Sequence, residues 1–352
     1  MSETTNRSQA VHGKSIIVDG LNAVYPKDFN AEYIQNLKKG GVTGIHVTIP
    51  DVECFSAGQA MRELSGFFQR LRTFESQKVR LATTVQEIRK AKDEGGIAVV
   101  LGSQGAGFLG LDLSSLDFFA RLGMRTMQPT YTQRNQFGDG CGEKADAELS
   151  NAGVQWVEEM NKLGLVISLS HVGNKTSMEI IKMSKDPVVF DHSNPKALCD
   201  NPRNITDEQI RSCAEKGGVI GLCPHAAFLR TDKGPRKQRV EDYVDHISYV
   251  AELVGVNHVG IGLDLAEGYF WTREQVMQRR RPEEELQKIQ DEFLRSSRER
   301  LYYYEVAMPW LKSVSQMPII TEALVVRGYS DQDVEKILGG NFLRVFEKIW
   351  GS

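Results

Sequence analysis

Short apolar runs and helical stretches alternate along the chain up to about residue 265. Eight of the runs are apolar at almost every position instead of every second one, which is typical of strands buried on both faces of a parallel sheet. These runs cover residues 15–19, 44–49, 98–102, 125–131, 165–171, 187–192, 218–223 and 258–264. Because strands and helices follow one another throughout, the pattern predicts the α/β class and, within it, a (β/α)8 TIM barrel.

The helices predicted between the strands have local sequence support. The clearest helical periodicity lies at residues 147–163, 175–185, 206–216 and 240–254. Thr206 and Gln209 have the spacing of a capping box, in which the threonine hydroxyl closes the first turn and the glutamine amide reaches back to the threonine backbone. These stretches predict the outer helices of the barrel.

The chain beyond residue 264 changes to long, charged helical sequence. Residues 273–300 predict a surface helix with solvated charges rather than a binding patch. Residues 331–338, which Ser330 precedes as an N-cap, and residues 342–349 predict helices that pack back on the barrel. The barrel is therefore expected to carry a C-terminal helical extension.

Length and composition set limits on the domains and partners. The 352 residues exceed the about 250 of a minimal barrel, so we expect a single domain over residues 15–352, after a flexible N-terminus at residues 1–14. A net charge of −3 argues against nucleic acid as a partner, and we expect a small-molecule substrate instead. No stretch reaches the about 18 apolar residues of a membrane span. The five cysteines are scattered, which indicates neither disulfides nor a zinc ribbon, and we expect a cytoplasmic protein that binds no membrane.

Nearly every predicted strand ends at a residue that can bind a metal ion or move a proton. The C-terminal ends of barrel strands meet on one face, where barrel enzymes carry their active sites. The residues at these ends are Asp19, His46, Gln104, Tyr131, His171, His192, Cys223, His225 and Asp264. The pattern therefore predicts a functional site at this face of the barrel.

His171 and His192 form the strongest of these constellations. They end consecutive predicted strands, and neighbouring strands lie only about 4.8 Å apart, so both imidazoles can reach one ion. Such a pair suits zinc, although a single histidine at a strand end is more often structural. Asp264 ends the strand that closes the barrel, where its carboxylate can bind the ion or accept a proton from an activated water. The alternative for Asp264 is a cap on the loop before Gly268.

His46, His225 and Cys223 have structural alternatives. His46 lies inside its strand, where it either faces the barrel mouth or bonds a backbone carbonyl in the core, and we favour the core. His225 begins a basic loop that either folds over the site as a lid for anionic groups or, more often for such sequences, is solvated. Cys223 has no identifiable base or cation to activate its thiol, which indicates an ordinary buried cysteine.

Seven short motifs occur in a characteristic order and spacing from the middle of the chain to its end. They are YTQRN from residue 131, GDGC from 138, EMN from 159, LSHV from 169, PRNITDE from 202, GGVIG from 217 and GGNF from 339. Together they resemble the membrane (renal) dipeptidase family, the M19 metallopeptidases of the amidohydrolase superfamily, over about residues 19–349. The resemblance implies a TIM-barrel metallohydrolase that acts on dipeptides or related amides and forms a homodimer.

The chain departs from the family pattern where the first metal ion would bind. The family opens with Asp-Gly-His-Asn-Asp, whose histidine and second aspartate bind one of two zinc ions, and this chain has Leu21 and Ala23 at those positions. The family's bridging glutamate corresponds to Gln104, which offers a carbonyl oxygen but no anionic bridge. Tyr131 stands where the family has a histidine that steadies the tetrahedral intermediate. The resemblance therefore implies that the usual two-zinc centre does not assemble here.

What remains of the family site implies a hydrolase with one divalent ion per subunit, and we expect zinc. The expected roles are metal binding by His171, His192, Asp264 and Gln104, catalysis by Asp264 and Tyr131, and substrate binding by Arg203, Tyr131 and His46. One ion is sufficient to polarise a carbonyl and to lower the pKa of a water, while Arg203 pairs with a substrate carboxylate. Because the more neutral site offers little to a free amino terminus, we expect an atypical amide, a lactam or a modified amino acid as the substrate.

Two alternatives remain open at the level of sequence. In the first, the metal site is repurposed for a lyase or isomerase step, and the additional ligand is His46, Tyr131, Asp191 or His225. In the second, the protein binds no metal and keeps the barrel as a binding protein or partner subunit. Fold resemblance alone does not rank these outcomes, because barrels carry many chemistries.

Overall fold

The computed structural model describes residues 3–52, 54–229, 238–267 and 310–351. Its centre is a curled sheet of parallel strands. The strands are β1 (Ile17–Asn22), β2 (Val42–Thr48), β3 (Val79–Leu81), β4 (Ile97–Ser103), β5 (Met124–Met127), β6 (Val166–Ile167), β7 (Val189–Phe190), β8 (Val219–Leu222) and β9 (Val259–Ile261). Parallel pairing runs in the orders β1-β2-β4-β5-β6 and β7-β8-β9, and β3 pairs with the beginning of β4.

Two contacts close this sheet into a barrel. A parallel bridge between Ser168 and Val189 connects the end of β6 to β7. The backbone N–H of Asp264 donates to the carbonyl oxygen of Leu21 over 2.9 Å, which connects the end of β9 to β1. The predicted α/β class and (β/α)8 TIM barrel are therefore confirmed, with β3 as a short addition to the eight barrel strands.

Each predicted apolar run overlaps one barrel strand, but several strands end earlier than their runs. The run over residues 165–171 keeps only Val166–Ile167 in the ladder. Ser168 still forms a bridge to Val189, and His171, four residues beyond β6, lines the cleft at the barrel mouth. Strand β3 is not predicted by the sequence, because three residues with one exposed position give too short a pattern.

Helices cover the outside of the barrel. They are α1 (Glu3–Lys14), α2 (Ala31–Lys39), α3 (Ala57–Arg72), α4 (Val85–Glu94), α5 (Ser114–Arg121), α6 (Asn151–Lys162), α7 (Asn174–Met183), α8 (Asp207–Glu215), α9 (Val240–Val254), α10 (Pro318–Arg327), α11 (Asp331–Glu335) and α12 (Asn341–Trp350), with a π-helical turn at Lys336–Gly340. Thr206 and Gln209 form the predicted capping box at the start of α8. The helix predicted at residues 273–300 lies outside the described residues. Within the part of the chain that the structure describes, none of these helices is both long and apolar enough to cross a membrane.

The N-terminal segment expected to be flexible forms helix α1 and packs on α10. Val11 is fully buried in this contact, and His12 Nδ1 lies 2.7 Å from the hydroxyl of Thr321. The other ring nitrogen of His12 lies 3.0 Å from the carbonyl oxygen of Gly40. The buried side chain of Val11 and the two contacts of His12 hold the helix against the barrel. The polar composition of the segment gives no indication of these contacts.

The C-terminal helix α12 fills the barrel interior with one aromatic side chain. Phe342 is buried between β1, β8 and β9. A Cβ atom on Gly20 would lie 2.5 Å from the Phe342 ring, and one on Gly260 would lie 2.6 Å from it. These strands therefore carry glycine where the ring enters. Through Phe342, helix α12 is part of the barrel core.

Candidate active site

The imidazoles of His171 and His192 meet at the mouth of the barrel. His171 follows β6 and His192 follows β7, and both side chains are buried. Their Nε2 atoms lie 3.0 Å apart, with the ring planes tilted by 54°. The structure thus brings together the two histidines that the sequence pairs.

Two neighbouring side chains contact the His171 ring, and its backbone has an uncommon conformation. Its Nδ1 lies 3.0 Å from the hydroxyl of Thr132. The ring of Tyr131 stacks on it, with the centroids 4.0 Å apart. His171 also has a positive φ of 69°, a left-handed backbone conformation that is uncommon for residues other than glycine. Such strain is found most often where the surroundings of a functional residue over-determine its position.

The His192 ring is fixed by the carboxylate that precedes it in the sequence. Asp191 Oδ1 lies 2.6 Å from His192 Nδ1, and Asp191 Oδ2 lies 3.6 Å from His46 Nδ1. Burial alone would raise the pKa of Asp191, but the neighbouring imidazoles of His192 and His46 lower it to about 2. Asp191 is therefore a buried, ionised carboxylate behind the histidine pair.

His46 lies deeper in the barrel than the histidine pair. Its Nδ1 lies 2.7 Å from the carbonyl oxygen of Gly20, and burial lowers the pKa of its imidazole. This contact is the core alternative that the sequence favours for His46. Its Nε2 lies against Gly102, where a Cβ atom would come within 2.1 Å. A substrate contact by His46 stays a prediction.

Asp264 lies beyond β9 with a partly exposed side chain and a positive φ of 50°. Burial raises the pKa of its carboxylate, although His192 and Arg203 partly offset this effect. No hydrogen bond to this carboxylate is formed by the residues that the structure describes. A carboxylate whose pKa lies above its usual value is suited to accept a proton near neutral pH.

Arg203 offers unused hydrogen-bond donors beside the pair. Its side chain is buried, and Nη2 donates to the carbonyl oxygen of His192 over 2.9 Å. Its guanidinium carbon lies 5.2 Å from the ring centroid of Phe228, which stacks in turn on His225. Nε and Nη1 have no partner among the described residues. Arg203 and His171 line the same cleft, which has a volume of about 270 Å³.

The remaining predicted residues have distinct surroundings. Gln104 is buried, its amide nitrogen donates to the hydroxyl of Thr48 over 3.0 Å, and its Oε1 has no partner within the described part of the chain. Burial raises the pKa of the Cys223 thiol well above its usual value, as expected for an unreactive cysteine. His225 Nδ1 accepts a hydrogen bond from the backbone N–H of Ala227 over 3.2 Å.

The spacing of the two imidazole nitrogens is compatible with one metal ion. Nitrogens 3.0 Å apart can both bond an ion at the usual Zn–N distance of about 2.0–2.1 Å. Gln104 Oε1 is a buried oxygen still in need of a partner. Leu21 is fully buried and apolar, so it provides no ligand for a second ion. Across the described ranges, no group of three or more histidine, cysteine, aspartate or glutamate side chains is placed to hold an ion.

The sequence does not predict the roles of two residues that contact the histidine pair. It offers Asp191 only as an additional metal ligand, whereas in the structure its carboxylate contacts His192 Nδ1. Its position directly before a candidate ligand is the signal that points to this contact. Thr132 follows Tyr131 in a recognised motif, but nothing in the sequence indicates that its hydroxyl reaches His171.

The chain is similar to members of the membrane dipeptidase family. A family model described as membrane dipeptidase (peptidase family M19) matches residues 6–278 and 305–350. Dipeptidase tcpJ of Claviceps purpurea is 28% identical over 283 residues, which are 80% of this chain and 58% of tcpJ. Dipeptidase verJ of Clonostachys rogersoniana is 26% identical over 276 residues, 78% of this chain and 61% of verJ. The chain thus spans about three fifths of the length of these relatives.

Solved structures share the whole fold. The crystal structure of an amidohydrolase from Pseudomonas aeruginosa is 30% identical, with a TM-score of 0.83 over 98% of this chain and 99% of that chain. A metallopeptidase from Rhodobacter sphaeroides, solved with a phosphinate mimic of the dipeptide L-Ala-D-Ala, is 21% identical, with a TM-score of 0.75 over 96% of this chain and 100% of that chain. At that identity the second likeness shows the fold alone.

Proposed function

The chain belongs to the membrane dipeptidase family, peptidase family M19, and we propose that it hydrolyses an amide bond at a site that holds one divalent metal ion. The family and its dipeptidase relatives indicate a dipeptidase-like hydrolase that acts on dipeptide-like substrates. One observation carries the one-ion proposal. The buried Nε2 atoms of His171 and His192 lie 3.0 Å apart, beside unused donors of Arg203.

His171 and His192 would hold the ion, with Gln104 offering its carbonyl oxygen as a further ligand. When bound, a divalent ion polarises the substrate carbonyl and lowers the pKa of a water molecule. Thr132 and Asp191 keep the two imidazole rings in place through their Nδ1 atoms. The other residues of the site are then left to bind the substrate and to move protons.

Asp264 would act as the proton carrier. It accepts a proton from the attacking water and returns it to the nitrogen of the leaving amine as the C–N bond breaks. The raised pKa of its carboxylate supports this role, because a proton acceptor works best when its pKa approaches the working pH. Tyr131, which stacks on His171 at the rim, would donate a hydrogen bond to the carbonyl oxygen of the substrate.

Arg203 would bind the carboxylate of the substrate. A guanidinium group pairs with a carboxylate through two parallel hydrogen bonds, and Arg203 keeps Nε and Nη1 without partners among the described residues. The positions of Leu21 and Ala23 supply no carboxylate to hold a free amino terminus. We therefore propose a substrate with a free carboxylate and a blocked or modified amine, such as an N-acyl amino acid, a lactam or a modified dipeptide.

Three further properties belong to this proposal. Zinc is the proposed ion because two imidazole nitrogens are ligands that it favours. A homodimer is proposed from the family resemblance. A cytoplasmic location is proposed because all five cysteines are free, and reduced thiols are typical of proteins in a reducing compartment.

The test combines metal analysis with activity measurements. The wild-type protein, purified without added zinc, is expected to contain one ion per chain and to hydrolyse members of a panel of N-acyl amino acids, lactams and dipeptides. His171→Ala is expected to lose both the ion and the activity. His258→Ala serves as the matched control, because His258 Nδ1 lies 2.9 Å from the carbonyl oxygen of Gly218, away from the barrel mouth.

Each result decides between the candidate functions. Active wild-type protein without stoichiometric metal would overturn the metal-dependent mechanism. Metal-bound protein that is inert toward every amide would favour a repurposed lyase or isomerase site. Metal-free protein that is also inert would favour a binding protein or partner subunit.

A further inference from the structure

A line of buried polar groups runs behind His192, away from the cleft. It begins at the carbonyl oxygen of Gly20, which lies 2.7 Å from His46 Nδ1. The same nitrogen lies 3.6 Å from Asp191 Oδ2, and Asp191 Oδ1 lies 2.6 Å from His192 Nδ1. His46, Asp191 and His192 are each at most 3% exposed, so solvent does not compete for these contacts.

The carboxylate determines which nitrogen of His192 carries the hydrogen. Asp191 Oδ1 lies 2.6 Å from His192 Nδ1, and a carboxylate oxygen accepts the N–H of an imidazole, so this contact favours the hydrogen on Nδ1. The Nε2 atom of a neutral His192 then presents its lone pair toward His171. A metal-ligating histidine needs this arrangement, and its other ring nitrogen commonly donates to a carboxylate or a carbonyl.

The backbone of Asp191 is held rigidly by two close neighbours. A Cβ atom on Gly262 would lie 1.7 Å from the Asp191 carbonyl oxygen, and one on Gly221 would lie 2.2 Å from it. Strands β8 and β9 can therefore approach the aspartate backbone only because both positions are glycine. This packing determines where the Asp191 backbone lies relative to these strands.

His46 adds a second constraint on the carboxylate. Its Nδ1–H donates to Gly20, which fixes the ring, and its N–H edge then lies near Asp191 Oδ2. The separation of 3.6 Å is an electrostatic contact and not a hydrogen bond. No described group donates a hydrogen bond to Asp191 Oδ2. The effect of His46 on His192 should accordingly be smaller than that of Asp191.

We propose that His46 and Asp191 form a buried support that fixes His192 as its Nδ1–H tautomer and thereby sets the affinity of the His171–His192 pair for a divalent cation. The inference rests on the one-ion site of the proposed function. In this proposal both residues act on the ion through His192 and not by direct contact with it. Asp191 and His46 are thus proposed as positioning residues, whereas the alternative from the sequence makes either of them an additional ligand.

The first test measures metal affinity. Zn²⁺ is titrated into metal-free wild-type and Asp191→Asn protein in competition with a chelator. The substitution keeps the size of the side chain and removes its charge, and loss of such an outer partner weakens metal binding roughly 10- to 100-fold. Asp242→Asn is the matched control, because Asp242 is also buried but caps α9, and its affinity should equal that of the wild type.

The second test reads the tautomer directly, without metal or substrate. The chain has seven histidines, so selective ¹⁵N labelling of their rings gives an assignable long-range ¹H–¹⁵N spectrum. We expect His192 to show the Nδ1–H pattern in the wild type and a mixture of the two tautomers in Asp191→Asn. A residue that only stabilises the fold would leave this pattern unchanged.

A third measurement tests whether His46 acts through Asp191. His46→Gln is expected to weaken Zn²⁺ binding several-fold alone and to have no further effect in the Asp191→Asn background, because coupled residues are not additive. His46→Gln also keeps the inference testable if Asp191→Asn does not fold. If the effects of the two substitutions on Zn²⁺ affinity were additive, His46 would act independently of Asp191, which would overturn the proposed support.

Failure of this inference is distinguishable from failure of the proposed function. Wild-type affinity and an unchanged tautomer in Asp191→Asn would overturn the support, while the one-ion hydrolase would stand. If the wild type binds no divalent ion, the proposed function fails, and so does the claim on affinity. The tautomer spectrum would then decide whether Asp191 orients His192 at all.

Discussion

The Asp19 carboxylate accepts a 2.7 Å hydrogen bond from the backbone N–H of Leu263, which joins the first barrel strand to the chain just beyond the last. Asn22 donates to the other carboxylate oxygen over 2.9 Å. Leu21, which lies between Asp19 and Asn22 in the sequence, is fully buried. This end of the first strand is thus part of the closure of the barrel.

The pH dependence of folding should reveal this Asp19 contact. Burial raises the pKa of Asp19 from its usual 3.8 to about 7, against the three hydrogen bonds that lower it. The folded state therefore binds more protons than the unfolded state between these values, and the free energy of unfolding should fall as the pH rises from about 4 to about 7. Each unit of pKa difference corresponds to about 1.4 kcal/mol.

Asp19→Asn provides the comparison, measured by urea unfolding across this pH range. The variant does not titrate at this position. The unfolding free energy of the wild type minus that of Asp19→Asn should therefore decrease as the pH rises from about 4 to about 7. Tyr243→Phe, which removes a buried hydroxyl that donates to Leu222 without adding a titrating group near pH 7, should show a constant difference instead. If the difference in unfolding free energy between wild type and Asp19→Asn increased with pH instead, the raised pKa of Asp19 would be contradicted.

The hydroxyl of Thr132 should matter for metal binding through His171. With His171 Nε2 on the ion, its Nδ1–H would donate to the Thr132 hydroxyl 3.0 Å away. Thr132→Val keeps the shape and removes the acceptor, so zinc affinity should fall roughly 10- to 100-fold. Thr132→Ser, which keeps the hydroxyl, should retain most of the wild-type zinc affinity. Equal affinities of the valine and serine variants would show that the hydroxyl has no such role.

Much of this molecule follows from its sequence, and the reasons for the exceptions are physical. The strands are predictable because burial on both faces makes each an unbroken apolar run, and the paired histidines follow from their places at consecutive strand ends. The helix at Glu3–Lys14 is not predictable, because its polar composition hides the contacts of Val11 and His12. The contact between His46 and Asp191 crosses the barrel between distant strands, so no local pattern reports it.

Arg203 should act on substrate binding more than on the chemical step. Arg203→Lys keeps the charge but cannot form two parallel hydrogen bonds with a carboxylate. Hydrogen bonds to charged groups contribute about 1.5–3 kcal/mol each, so KM should rise roughly 10- to 100-fold with a smaller change in kcat. The control is the same substrate with its carboxylate converted to an amide, for which wild type and variant should differ little. A selective loss of kcat would place Arg203 in the chemical step instead.

The stability of the barrel should depend on Phe342. This ring is buried in the barrel interior, where Gly20 and Gly260 leave room for it. Phe342→Ala would leave a cavity among three strands, and removing a buried phenylalanine in this way typically destabilises a protein by about 3–5 kcal/mol. Phe118→Ala removes the same atoms from a side chain that is 42% exposed, so it should change the unfolding free energy far less. Urea unfolding of both variants, followed by tryptophan fluorescence, measures the difference. Similar midpoints for the two variants would mean that α12 packs on the barrel without being needed to fill it.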